Sequence, residues 1–126
     1  MNALAYTIAN ISTEGNLSLL SLETPIGALW VLLLATQDMG EDMRVGARGS
    51  AYFKPTQVLL IPQNPAPCTH NCFASRIARI QREAILSLVS LEGDISALVP
   101  TRSIEGFSEG DCCFWWVNPS DILLQS

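Results

Sequence analysis

One stretch of this chain is written twice, and that repeat limits what the chain can fold into. Asn16-Leu17-Ser18-Leu19-Leu20-Ser21-Leu22-Glu23 returns as Ile85-Leu86-Ser87-Leu88-Val89-Ser90-Leu91-Glu92, 69 positions later. Around it, residues 2–29 match residues 71–98 at 15 of 28 positions without a gap. Further on, Lys54-Pro55-Thr56-Gln57-Val58-Leu59-Leu60 falls on Asn118-Pro119-Ser120-Asp121-Ile122-Leu123-Leu124 at a shift of 64. The first copy is therefore longer by about five residues, near residues 32–42. Two copies indicate one small unit duplicated, because a solenoid needs three or more repeats. The predicted boundaries are 1–61 for the first unit and 68–126 for the second. The linker is 62–67, where Pro62, Pro65 and Pro67 stop any strand or long helix. A unit of roughly sixty residues buries only about 60% of its unfolded surface, so each copy is expected to pack on something else.

Composition narrows the function classes. Apolar residues make up 48% of the chain and charged residues 15%, a folded composition with a thin polar coat. Sparse charge leaves apolar groups at the surface and favours a homo-oligomer. The net charge of −5 argues against nucleic acid as a partner, since that needs a basic face. The longest apolar run, Ala28–Ala35, has eight residues, against the roughly twenty that span a bilayer. Met1–Asn10 has neither the basic start nor the apolar core of a secretion signal. The expectation is a cytoplasmic protein without membrane insertion.

The local pattern is strand and turn. Short apolar runs alternate or nearly alternate between Gly, Pro, Asn and Asp. Strands are predicted near 4–12, 17–23, 26–33, 49–54 and 57–61, and again near 73–81, 85–91, 95–99, 112–117 and 121–124. The doublets Leu19-Leu20 and Leu88-Val89 break the alternation at matching places, which suggests a bulge or bend there. Five short strands per copy predict an all-β chain of two tandem OB-like five-stranded β-barrels.

Catalysis finds little support. The chain has one histidine, no Ser-His or Cys-His pair that the sequence places together, and no phosphate loop or dinucleotide fingerprint. Cys68, His70 and Cys72 lack a standard zinc spacing and an evident fourth ligand, so the thiols are read as small packing groups rather than a metal site.

Asn2, Leu4, Ile8 and Ile11, followed by Gly46, Lys54, Thr56 and Val58, resemble the Mop/TOBE family of molybdate- and tungstate-binding modules. In the second copy, Thr101-Arg102-Ser103-Ile104-Glu105 and Glu109-Gly110-Asp111 look like that family's Thr/Ser-rich stretch and the Gly-Asp turn after it. The resemblance covers nearly the whole chain, in the tandem form of the family. It implies OB-like barrels, an oligomer, and oxyanion sites between modules with molybdate or tungstate as ligand. Carried over, the implied oxyanion ligands are Lys54, Thr56, Thr69, His70, Asn71, Thr101, Ser103 and Ser120. Some positions depart from the family pattern. His70 stands in place of an Arg, Asn118 in place of the Lys, and Thr101 one step from the expected Thr, after Pro100. The implied role is storage, buffering or sensing of the oxyanion, linked to its uptake. The alternative is a module that binds no ligand and docks on a transporter ATPase or a transcriptional regulator. The bottom-up chemistry agrees with the first. A tetrahedral dianion wants convergent hydroxyls, amides, backbone N–H groups and one Lys, which an acidic protein can offer locally.

Cys112-Cys113-Phe114-Trp115-Trp116-Val117 carries a separate expectation. Successive strand residues face opposite ways. With Cys113, Trp115 and Val117 inward, Phe114 and Trp116 face outward and form the predicted interface to another module or chain.

Overall fold

In a computed structural model the chain is described at residues 1–34, 43–62 and 70–126. Ten strands form: β1 Asn2–Glu14, β2 Leu17–Thr24, β3 Gly27–Leu34, β4 Arg48–Phe53, β5 Val58–Ile61, β6 Cys72–Gln81, β7 Leu86–Leu91, β8 Ile95–Pro100, β9 Cys112–Val117 and β10 Leu123–Gln125. Among the described residues the only helical pieces are 3-10 turns, at Pro55–Gln57, Thr101–Ile104 and Pro119–Asp121. The expected all-β class is therefore present, with ten strands in two five-stranded sheets. Most of the predicted linker lies outside the described residues, as does the first-copy insertion.

The strands form two antiparallel five-stranded sheets, ordered β10-β4-β1-β2-β3 and β5-β9-β6-β7-β8. Each sheet takes four strands from one repeat and its last strand from the other. β10 pairs with β4 through Leu123↔Tyr52 and Gln125↔Ser50, and β5 pairs with β9 through Val58↔Val117 and Ile61↔Phe114. The compact units of the fold follow this exchange and cut across the repeat. One comprises Met1–Asn2 with Phe53–Val117, the other Ala3–Tyr52 with Asn118–Ser126.

In the 53–117 unit, Trp115 centres the core, its ring 5.8 Å from Phe53 and 4.8 Å from Phe73. Ile77, Val89, Ile95, Ile104 and Val117 of the same unit are almost fully buried. Asn2 joins this unit from the far end of the chain. Its side-chain amide donates to the Ser96 carbonyl at 2.9 Å and its oxygen accepts the Ser96 N–H at 2.8 Å. Pairing both ends of the amide satisfies a side chain that is 2% exposed.

The other unit buries Leu4, Tyr6, Ile8, Leu20, Leu22 and Val31. The strand alternation places these residues on one face, since β1, β2 and β3 each present every second side chain inward.

The irregularity expected at Leu19-Leu20 and Leu88-Val89 lies elsewhere. The register shifts fall between Ile8 and Asn10 in β1, and between Ile77 and Arg79 in β6. β2 alternates without interruption, with Ser18, Leu20 and Leu22 inward, and β7 does the same with Ser87, Val89 and Leu91. The sequence looked broken because a serine occupies an inward site and a leucine an outward one. Ser18 is paid for in place by a 3.1 Å hydrogen bond with Thr13. At the bulges, Gly46 N–H donates to Ile8 O at 2.8 Å and Gly110 N–H to Ile77 O at 2.7 Å. Both glycines have φ near +90°, which explains why the repeat keeps glycine there.

Candidate functional site

Lys54 follows β4 directly. Pro55 supplies no N–H and cannot extend the ladder, so the chain turns. Gln57 then closes the turn from both sides: Lys54 N–H donates to Gln57 Oε1 at 2.8 Å, and Gln57 N–H to Lys54 O at 2.9 Å. This bracing leaves Lys54 and Thr56 exposed. Lys54 is the chain's single lysine, and among the described residues its ammonium has no hydrogen-bond or ion-pair partner. The turn packs against β8, which runs straight into the Thr101–Ile104 turn. Because β5 crosses to β9, Lys54 and Thr56 belong to the same compact unit as His70, Asn71, Thr101 and Ser103.

The middle segment is already engaged by the chain itself. Thr101 Oγ1 donates to Glu83 O at 2.6 Å, and Ser87 Oγ lies 2.7 Å from Thr101 Oγ1. With the Thr101 proton spent on the carbonyl, Ser87 is the donor of that second bond. Ser103 Oγ donates to Pro100 O at 2.7 Å. Turn hydroxyls commonly bond backbone in this way. Thr101 and Ser103 retain lone pairs but have no hydroxyl proton left for an anion in this conformation.

At the start of β6, His70 is exposed and Asn71 is 3% exposed. Asn71 has φ +66°, a left-handed conformation that asparagine tolerates better than most residues. The end of β9 holds two successive carbonyls here. Trp116 Nε1–H donates to His70 O at 3.0 Å, and Val117 N–H to Asn71 O at 3.3 Å. Thr69 lies outside the described residues.

Ser120 belongs to the other unit, whose Pro119–Asp121 turn packs against β3. Asn118 caps that turn by accepting from Ser120 N–H at 3.0 Å and from Ser120 Oγ at 2.8 Å. Asn118 thus does structural work at the position matching Lys54.

The parity expected for β9 is observed. Cys113, Trp115 and Val117 are buried, whereas Phe114 and Trp116 are half-buried on the opposite face. Cross-strand partners surround these two: Leu59 and Cys72 beside Trp116, Ile61 and Ala74 beside Phe114. Burial raises the Cys113 thiol above its ordinary value, helped by neighbouring Cys112 and Asp111, and burial alone raises the Tyr6 phenol. Both groups stay neutral at neutral pH and neither is a candidate anion ligand. Among the described residues there is no cluster of metal-ligating side chains, and no helix is long and apolar enough to cross a membrane.

Two functional details escaped the sequence. Gln57 sits three residues after Lys54 at the start of a turn, a capping spacing that could have been read. The Trp116–His70 contact left no local signal, because 46 residues separate the partners.

No protein-family model matches the sequence, and no curated protein matches it. Among solved structures, the chain is similar to the cytoplasmic molybdate-binding protein ModG, in a crystal form with molybdate bound. The TM-score is 0.87 at 17% sequence identity, over 98% of this chain and 94% of that one. At that identity the likeness establishes the fold.

Proposed function

We propose that this chain is a cytoplasmic oxyanion-binding protein that takes molybdate or tungstate, for storage, buffering or sensing linked to uptake. The observation that carries the reading is end-to-end likeness to a molybdate-binding protein, with almost all of both chains covered. The residue chemistry adds support. The Lys54 ammonium, without a partner among the described residues, and the exposed Thr56 lie in the same compact unit as His70 and Asn71. A lysine donates a charge-assisted hydrogen bond to an anion, roughly twice as strong as a neutral one. Since the Thr101, Ser103 and Ser120 hydroxyl protons are committed to the chain, the remaining donors in this reading are Lys54, Thr56, Thr69, His70, Asn71 and backbone N–H groups. The protein acts by binding, not as an enzyme.

In this proposal residues 1–61 and 68–126 are copies of one Mop/TOBE-type module, joined by 62–67. The protein works as a homo-oligomer, with Phe114 and Trp116 on the associating face. Calorimetric titration with molybdate and tungstate, with sulfate as comparison, tests the reading. Saturable binding of either metal oxyanion, tighter than sulfate, is expected. Absence of binding would overturn it in favour of a ligand-free module that docks on a transporter ATPase or a transcriptional regulator.

A further inference from the structure

We infer that Trp116 is a positioning residue for the oxyanion site, acting through the His70 carbonyl; this rests on the binding role proposed above. The candidate ligand residues His70 and Asn71 occupy a turn with a left-handed residue at its end. Such a turn needs its carbonyls held if its side chains and N–H groups are to face one way. Two consecutive residues of β9 do the holding, one by its indole N–H and the next by its backbone N–H. The backbone bond belongs to any strand pair at this register, whereas the indole bond depends on one side chain. Trp116 reaches the turn because it faces outward on β9, directly across from Cys72, the first residue of β6. The repeat makes the point by contrast. The matching residue in the first copy is Tyr52, which has no indole donor, and the residue matching His70 is Met1. The device belongs to the second copy alone, the copy that carries His70 and Asn71 together.

The test uses Trp116→Phe, which keeps an apolar ring and removes the donor, and Trp116→Tyr, a residue this strand position already accommodates in the first copy. His70 is the only histidine, so its imidazole C2–H gives a single assignable proton resonance. Both variants should keep the parent's far-ultraviolet circular dichroism and particle mass. In both, the His70 resonance should shift before any ligand is added. Tungstate affinity by calorimetry should fall by about 2- to 10-fold, the usual range for one lost hydrogen bond. Parent-like affinity in both variants, with the parent binding tungstate, overturns the inference and leaves the binding role standing. An affinity loss with an unmoved His70 resonance, or only alongside a smaller particle, also overturns it. A parent that binds neither molybdate nor tungstate overturns both.

Discussion

The Tyr6 hydroxyl lies directly over Gly49, so that a Cβ added at Gly49 would sit 2.6 Å from it and collide with the Gln125 carbonyl as well. Tyr6 is 4% exposed, and its ring takes the room that the missing side chain leaves. The duplicated position solves the same packing problem differently. Tyr6 corresponds to Ser75 and Gly49 to Cys113, and Ser75 and Cys113 face each other across β6 and β9. One unit pairs a large residue with none, the other pairs two small ones.

Gly49→Ala should therefore destabilise the protein by about 1–3 kcal/mol, the usual cost of overpacking. Tyr6→Ser combined with Gly49→Cys should cost less than the two single changes added together, with a coupling of about 0.5–3 kcal/mol. Urea unfolding of the four proteins checks this. Strict additivity would show that the two sites relax independently.

Lys54→Ala and Asn118→Ala should part company. Lys54 is exposed and has no partner among the described residues, so its loss should leave stability within about 0.5 kcal/mol of the parent. Tungstate affinity should drop about 10- to 150-fold, as expected for a charge-assisted bond. Asn118 caps a turn, so its loss should cost about 0.5–2 kcal/mol of stability with little change in affinity. Unchanged tungstate binding by Lys54→Ala would remove Lys54 from the site.

Truncating the chain after Val117 should loosen the first repeat, because β10 completes the sheet that contains β1–β4. Hydrogen exchange should show lost protection in β1, β2 and β3 and retained protection in β6, β7 and β9. Sheets completed within each repeat would give the opposite pattern.

Alkaline pH should weaken the fold. The Cys113 thiol and the Tyr6 phenol are both raised by burial above their ordinary values near 9.0 and 10.0. Below about pH 9 both groups are neutral whether folded or unfolded. Above it, the unfolded chain releases these protons first, so the stability they contribute falls as pH rises toward their folded values. Urea midpoints should be flat across neutral pH and drop beyond about pH 9. Thiol labelling at pH 8 should modify exposed Cys112 ahead of buried Cys113. A Cys113→Ala, Tyr6→Phe protein should show a shallower alkaline decline. An equal decline would place its cause in other groups.

The sequence by itself determined the all-β class, the five strands per repeat and which face of β9 is inside. Those follow from periodicity and from repetition, and both are local properties of the chain. Cys113, Trp115 and Val117 were legible as core because a strand turns every second side chain the same way. Only the tertiary structure decided which strand completes which sheet. Val58-Leu59-Leu60-Ile61 and Ile122-Leu123-Leu124 carry nearly the same pattern, so either suits either sheet edge, and local preference does not distinguish them. Long-range pairing does, and it moves Lys54 and Thr56 into the unit that holds His70 and Asn71. The same holds for the hydroxyls. The sequence shows Thr101 and Ser103 as donors, but whether their protons face a ligand or a carbonyl depends on where Glu83 O and Pro100 O come to lie. A hydrogen bond needs its partner within about 3 Å, and in a β fold such partners are chosen by strand pairing across the chain, not by the residues beside them.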